Sequence, residues 1–216
     1  MNFKTVFQES KSLDVIKKSK FIGYAKPVTT VEEAQQFIES IKKKHWDANH
    51  NVPVYVLGDQ FQVQKYSDDG EPSGTAGMPI LNILKNEGIS NVAIVVTRYF
   101  GGIKLGTGGL VRAYSQSAQS ALREAKVIEM VGYQLISVKM NYTLHGKFQN
   151  YISQNPEYLV KDTVYTDGVE TLLYICNDEA ENFVKKIIDM TNDQAIIEIG
   201  DEEMLPISDG EWIKGV

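Results

Sequence analysis

Three carboxylates lie close together in one short stretch of the chain, at Asp68, Asp69 and Glu71. They belong to the run 67–77, which is rich in glycine, serine, threonine and proline and therefore predicts a loop. Carboxylates on a loop can bind a divalent cation or supply a general base. The spacing does not match the calcium-loop pattern, which needs acidic residues at alternate positions and a distant glutamate. The stretch therefore contains either turn-stabilising side chains or a functional acidic loop.

A second stretch that could do chemistry is glycine-rich. Five glycines lie between positions 101 and 109, after the apolar run 92–96 and before a helical pattern that begins at Leu110. Such a loop can hold an anion, because glycines let backbone N–H groups approach the ligand and the helix dipole favours negative charge. Arg98, Lys104 and Arg112 would add positive charge. The alternative is that the glycines only provide left-handed turns and close packing of strand and helix.

Known motifs do not decide between these interpretations. The chain has no G-x-x-x-x-G-K-[ST] sequence, and the run from Gly106 to Gly109 misses the third glycine of the dinucleotide fingerprint. No G-x-S-x-G sequence singles out a serine nucleophile. His45 and His50 do not share a helix face, and no histidine has a cysteine at zinc spacing, so these residues predict no metal site. No cofactor is predicted, and whether the acidic loop binds a divalent metal stays open. His50 is expected either to act as a base beside the acidic loop or to form a structural hydrogen bond.

The elements that must position these loops form an N-terminal α/β domain. Thr30 and Glu33 match the capping box and predict a helix to about Lys44. Strands at 51–57 and 61–66 precede the acidic loop, and a short helix follows it. Both loops lie at the ends of neighbouring strands, so we expect them to converge on one surface of this domain.

The second half of the chain has a simpler pattern. From Tyr133 it predicts a strand, a helix, two strands, a helix and a last strand at 194–199, the βαββαβ order of a ferredoxin-like domain. We therefore predict an α+β fold with two domains. The first, residues 1–132, is an α/β sandwich, and the second, residues 133–216, is ferredoxin-like.

Charge is distributed unevenly between these halves. Residues 1–132 carry 16 Lys and Arg against 13 Asp and Glu, whereas residues 133–216 carry 6 against 15. The halves thus have net charges of +3 and −9, which argues against the second half binding nucleic acid by charge. Cys176 is the only cysteine and the N-terminus lacks a signal-peptide pattern, so we expect a cytoplasmic protein that does not enter membranes.

Three blocks of sequence resemble the YigZ/IMPACT family. They cover the first half of the chain, and the second half is similar to the small C-terminal domain of the bacterial members. The blocks are His50-Asn51, Ser67-Asp68-Asp69-Gly70-Glu71-Pro72-Ser73-Gly74-Thr75-Ala76-Gly77-Met78-Pro79-Ile80-Leu81, and Val96-Thr97-Arg98-Tyr99-Phe100-Gly101-Gly102-Ile103-Lys104-Leu105-Gly106-Thr107-Gly108-Gly109-Leu110-Val111-Arg112-Ala113-Tyr114.

The resemblance implies a first domain related to domains of translation factors and ribosomal proteins. It implies a second domain like the last domain of elongation factor G. Eukaryotic IMPACT proteins regulate translation through a ribosome-associated activator of a starvation-responsive kinase. This chain has the bacterial two-domain layout without their extra interaction domain, so that pathway is not transferred to it.

Two hypotheses about function follow. The first is a translation-linked regulatory binding protein that contacts RNA, the ribosome or a regulatory protein partner through the loops Asp68–Thr75 and Arg98–Arg112. The second is an enzyme that acts on a phosphorylated small molecule or nucleotide, with a metal held by the acidic loop. The sequence leaves the oligomeric state open. The candidate binding residues are His50, Asn51, Asp68, Asp69, Gly70, Glu71, Ser73, Thr75, Arg98, Tyr99, Gly101, Gly102, Lys104, Gly106, Gly108, Gly109 and Arg112.

Overall fold

The computed structural model describes residues 2–214. It divides into two compact units, one ending at Glu129 and the other beginning at Met130. The prediction of an α+β fold with two domains is confirmed. Among the residues described, none of the helices has the length and apolar character needed to cross a bilayer.

The first unit is built on one antiparallel sheet with the strand order β2-β3-β6-β4-β5. Its elements, in chain order, are β1 (Phe3–Val6), β2 (Ser10–Ile16), β3 (Ser19–Pro27), α1 (Val31–Lys44), β4 (His50–Leu57), β5 (Val63–Tyr66), α2 (Gly77–Glu87), β6 (Val92–Tyr99) and α3 (Thr107–Ala125). Strand β6 lies in the middle of the sheet and leads into the glycine-rich loop. The sheet therefore fixes where that loop begins.

Helices cover both faces of β6, which explains its unbroken apolar sequence. Val92, Ile94 and Val96 belong to a core cluster with α2 and α3. Ala93 and Val95 belong to a second cluster, with α1, on the other face. A strand that is buried on both faces has no polar positions to alternate with apolar ones. Successive residues of β6 thus contact different helices.

Helix α1 begins with the predicted capping box. The Thr30 side chain accepts a hydrogen bond from the Glu33 backbone N–H at 3.2 Å. The Glu33 carboxylate accepts from the backbone N–H of Thr29 at 2.7 Å, one residue earlier than the usual box. This local pattern sets the start of the helix that covers the second cluster.

The second unit has the predicted ferredoxin-like arrangement. Its elements are most of β7 (Val127–Met140), α4 (Tyr142–Ser153), β8 (Leu159–Tyr165), β9 (Val169–Cys176), α5 (Ala180–Thr191), β10 (Ile196–Ser208) and β11 (Glu211–Trp212). The strand order is β11-β10-β7-β9-β8, so the first and third strands of the βαββαβ unit are neighbours at its centre.

The last long strand extends well past the predicted range 194–199. Strand β10 continues to Ser208, although most of its residues up to Met204 are exposed. An exposed strand places few apolar side chains in the core, so its sequence lacks the alternation that marks a half-buried strand. Its acidic residues, among them Asp201 and Glu202, make the strand harder still to recognise from the sequence.

Candidate functional site

A cavity of about 500 Å³ lies in the first unit, between the acidic and the glycine-rich loops. The prediction that these loops converge on one surface is confirmed, because Glu71 of one and Lys104 of the other line the same cavity. Its polar lining residues are Asn49, His50, Glu71, Arg98, Lys104 and Thr107. Its other lining residues are Pro72, Phe100, Leu105, Gly106 and Leu110. An apolar wall with a few convergent polar groups is typical of ligand-binding clefts.

Arg98 and Glu71 form a buried ion pair at the wall of this cavity. Arg98 Nη1 donates to Glu71 Oε1 at 2.6 Å, and only 7% and 3% of the two side chains are exposed. The guanidinium carbon lies 5.4 Å from the ring centre of Phe21 and 5.5 Å from that of Phe100. The flat guanidinium is thus held by two aromatic rings as well as by the carboxylate.

Glu71 also connects β6 to α3. The Tyr114 hydroxyl donates to the same Oε1 atom at 2.7 Å. Burial and this hydrogen bond raise the pKa of Tyr114 far above its usual range, so the hydroxyl keeps its proton and remains a donor. One carboxylate oxygen therefore fixes both Arg98 and the helix that follows the glycine-rich loop.

Arg98 retains donor capacity beyond this pair. Its Nε atom is buried and has no hydrogen-bond partner among the residues described. A buried charged donor without an acceptor is unfavourable. Arg98 also lines the cavity, so its guanidinium adds positive charge to that wall.

His50 lies on β4, opposite Arg98 in the register of β4 and β6. Its Nδ1 atom donates to the backbone carbonyl of Asp69 at 2.7 Å, since a carbonyl can only accept. Its Nε2 atom is 3.7 Å from Glu71 Oε1. The predicted structural hydrogen bond is therefore present, and the other ring nitrogen is left to interact at the cavity.

Asp68 holds the shape of the acidic loop. Its carboxylate accepts from the backbone N–H groups of Gly74, Ala76 and Gly77, at 2.8, 3.1 and 2.8 Å. Gly77 is the first residue of α2, so the same side chain also satisfies the start of that helix. Asp68 thus has a structural role at this loop.

Three other predicted residues hold the loop to the sheet or fold it locally. Asp69 accepts from the backbone N–H of Asn51 at 2.6 Å, and the buried Asn51 side chain accepts from Thr97 at 2.7 Å. Thr75 donates to the carbonyl of Pro72 at 2.6 Å.

Within residues 2–214, no three His, Cys, Asp or Glu side chains come together as a metal-binding group. The three carboxylates of the loop have separate partners, which does not favour the metal-dependent hypothesis.

The glycine-rich loop presents an open helix end to the cavity. Gly106 is the N-cap of α3, has a φ of 74° and supplies no side-chain cap. The first N–H groups of a helix have no acceptor within the helix, and they attract negative charge. Gly106 and Thr107 line the cavity, so this positive end lies beside Arg98. The arrangement can bind a phosphate group.

Tyr99 does not belong to the cavity, contrary to its inclusion in the predicted set. Its hydroxyl donates to Asp47 at 2.9 Å and lies 2.9 Å from His45 Nδ1. His45 Nε2 is in turn 2.7 Å from the hydroxyl of Tyr24, which is packed in the cluster with α1. Adjacent strand residues point to opposite faces, so Arg98 and Tyr99 cannot serve one site.

The other predicted residues do not line the cavity. Gly101 packs against the backbone of Lys18, and Arg112 Nε donates to the carbonyl of Gly108 at 3.2 Å. The residues of this kind are Gly70, Ser73, Gly101, Gly102, Gly108, Gly109 and Arg112. Those that do line it are His50, Glu71, Arg98, Lys104 and Gly106.

Some cavity residues were not in the predicted set. Phe100, Leu105 and Thr107 lie inside the long block that resembles the YigZ/IMPACT family, and Asn49 directly precedes His50. Tyr114 closes the same block and was missed as the partner of Glu71. Neighbouring positions in the sequence are the signal that could have found these residues, because each lies within two positions of a predicted residue.

Comparisons with known sequence families match both units. The Impact N-terminal domain matches residues 17–122, and a domain of unknown function, DUF1949, matches residues 138–194. The IMPACT family member YvyE of Bacillus subtilis is 42% identical over 187 residues, which cover 87% of this chain and 86% of that protein. The IMPACT family member YigZ of Escherichia coli is 46% identical over 114 residues, 52% of this chain and 56% of that protein.

More distant relatives and a solved structure agree with these matches. The rat Protein IMPACT is 30% identical over 95 residues, which cover 42% of this chain and 29% of the rat protein. A crystal structure of a hypothetical protein matches with a TM-score of 0.58 and 30% identity. That match covers 91% of this chain and 96% of the crystallised one, so it extends over both units.

Proposed function

Because this chain belongs to the IMPACT family, we propose that it is a translation-linked regulatory protein that binds RNA through the cavity of its first unit. The family is associated with translation regulation. The RNA contacts involve the loops Asp68–Thr75 and Arg98–Arg112, and all of the positive charge of these two loops lies in the second. The protein works in this proposal as a binding module, without a metal.

The observation that carries the proposal is a single cavity lined by Arg98, Lys104 and the start of α3. A phosphate oxygen can accept from a guanidinium and from backbone N–H groups of a helix N-terminus at the same time. Lys104 is exposed at the same cavity and adds a full charge. These groups together favour a phosphate of the RNA backbone as the ligand.

An aromatic surface beside the charges supports RNA over a simple anion. The Phe100 side chain lines the cavity and is 46% exposed, while Arg98 occupies one side of its ring. Exposed aromatic rings in single-strand-binding proteins stack on bases without reading their sequence. We therefore expect weak sequence preference and a preference for unpaired RNA.

The test is the salt dependence of RNA binding by the full-length protein. A labelled oligouridylate and purified ribosomes are titrated with wild type, Lys104→Ala and Arg112→Ala at several salt concentrations. Each lost phosphate contact on a single strand should make the slope of log K against log salt shallower by about 0.7. Lys43→Ala is the control, because Lys43 is an exposed cation of α1, the helix that covers the other face of the sheet.

The result separates RNA binding from protein binding. Shallower slopes for Lys104→Ala and Arg112→Ala, with Lys43→Ala unchanged, would support the proposal. Unchanged slopes in both variants would contradict it, and a ribosome-associated protein would then be the better candidate for the partner of this surface.

A further inference from the structure

We propose that Lys17 and Lys18, at the turn between β2 and β3, form a second phosphate-binding arm beside the glycine-rich loop. The inference rests on the proposed function, because it assigns additional contacts to the same RNA. The turn consists of these two residues alone, since Ile16 pairs with Ser19 across it. Both lysines are exposed.

The backbone of this turn is unusual for the residues that occupy it. Lys17 has a φ of 45° and Lys18 a φ of 65°, so both adopt left-handed conformations. A two-residue hairpin turn with two positive φ values normally contains Asn-Gly or a similar pair, because other side chains are strained there. Two lysines are a poor choice for forming the turn, which points to a use for their charges.

The turn packs directly against the glycine-rich loop. A Cβ atom at Gly101 would overlap the backbone of Lys18 and Ser19, so only glycine permits this packing. The Gly101 backbone N–H also donates to the Ser19 hydroxyl at 3.1 Å. Lys104 is three residues beyond Gly101, so their Cα atoms are within about 11 Å of each other. The turn and the loop therefore present their cations from adjoining backbone segments.

Lys17, Lys18 and Lys104 form no ion pair with a carboxylate among the residues described. By contrast, Lys26 at the other end of β3 lies 3.4 Å from the Glu9 carboxylate. Unpaired lysines next to a phosphate site extend the path that a polyanion can follow, because each contact releases a counterion.

Another role for such lysines is protection of a sheet edge. Strand β2 is at the edge of its sheet, and charged side chains there discourage pairing with a second sheet. Edge protection predicts an effect on solubility and none on RNA binding. A phosphate-binding arm predicts an effect on RNA binding and none on solubility.

The double variant Lys17→Asn/Lys18→Gly separates these roles. It installs the preferred residues of the turn, so the melting temperature should rise while two positive charges are lost. If the lysines contact phosphates, the salt slope for oligouridylate should become shallower by about 1.4. The matched control, Lys65→Gln/Lys85→Gln, removes two exposed charges of the same unit and should leave the slope unchanged.

The outcomes also separate this inference from the proposed function. A shallower slope for the turn variant, together with a higher melting temperature, would support the arm. If Lys104→Ala alters the slope and the turn variant does not, the arm is overturned and the proposed function stands. If wild type does not bind RNA, both are overturned. Unchanged binding with reduced solubility would assign the lysines to edge protection and overturn the inference.

Discussion

Arg98 and Glu71 meet at 2.6 Å inside the first unit, although 27 positions separate them in the sequence. The pair lies where β6 leaves the sheet and where the acidic loop approaches α2 and α3. Two charges in such a place stabilise the structure only while both are present, because either one alone would be a buried and uncompensated ion. The pair therefore links the stability of the domain to the geometry of its cavity.

Loss of one member of this pair should destabilise the protein strongly. We expect Arg98→Met to lower the free energy of unfolding by about 3–5 kcal/mol, because the Glu71 carboxylate then stays buried without its cation. The double variant Glu71→Gln/Arg98→Met should lose less than the sum of the two single variants. Denaturant unfolding measures both effects. Lys26→Met, which breaks a half-exposed pair with Glu9, should cost less than about 1 kcal/mol, and an equal cost for Arg98→Met would contradict the argument.

Asp68→Ala should loosen the acidic loop and the start of α2. The variant leaves the backbone N–H groups of Gly74, Ala76 and Gly77 without their acceptor, so we expect a loss of about 2 kcal/mol of unfolding free energy. Ser73→Ala, an exposed change in the same loop, should stay within about 0.5 kcal/mol. The stability of wild type and Asp68→Ala is also measured with and without Mg²⁺, to test whether Asp68 is a metal ligand instead. A metal-dependent stabilisation that disappears in Asp68→Ala would identify the carboxylate as a ligand.

His45 should make the first unit less stable in mild acid. Its burial, followed by the nearby Lys44 and Lys11, lowers the pKa of the imidazole below the ordinary value of about 6.5. Between the two values the unfolded chain takes up a proton that the folded state does not, so stability falls as the pH is lowered through this range. Above about pH 6.5 the contribution is fully present.

The variant His45→Gln tests this dependence. Its unfolding free energy, measured between about pH 7 and about pH 5, should lack the part of the slope that His45 contributes in wild type. His145 lies in the second unit, so His145→Gln should not change how the unfolding free energy of the first unit depends on pH. An identical slope in wild type and His45→Gln would show that other groups cause the acid sensitivity.

The two halves of the chain should fold separately. Each has its own apolar core, with clusters around Ile94 and Val95 in the first and around Phe148 and Phe183 in the second. Both lie within the usual size range of independent domains, about 50–200 residues. Fragments 1–132 and 133–216 should therefore each show a cooperative thermal transition by circular dichroism. The absence of a transition in both fragments would place the division elsewhere.

Local patterns predicted much of the fold. The capping box at Thr30, the apolar run of β6 and the glycine-rich loop before α3 depend on neighbours within a few positions, and each gives the expected structure. The order of elements after Tyr133 also follows from such patterns. The fold class could therefore be predicted before any contact between distant residues was known.

The pairing of distant charges could not be predicted in this way. The sequence grouped Glu71 with Asp68 and Asp69 because the three are neighbours, whereas the structure gives each a different partner. The sequence pattern predicts Arg98 only as a phosphate-binding residue. Its ion pair with Glu71 depends on the register of β4 and β6 and on the path of the acidic loop, which brings Glu71 back to β6. Tyr99 was placed at the same site, although strand alternation alone separates it from Arg98.

The hydrogen bonds of Asp68 have a consequence for the kinetics of binding. A flexible glycine-containing loop has to be ordered when its ligand arrives, which slows association and weakens affinity. In this protein the carboxylate of Asp68 holds Gly74, Ala76 and Gly77 in place through hydrogen bonds within the loop itself. Association at the cavity should therefore proceed in a single phase, at a rate set by diffusion and by charge attraction that weakens with salt.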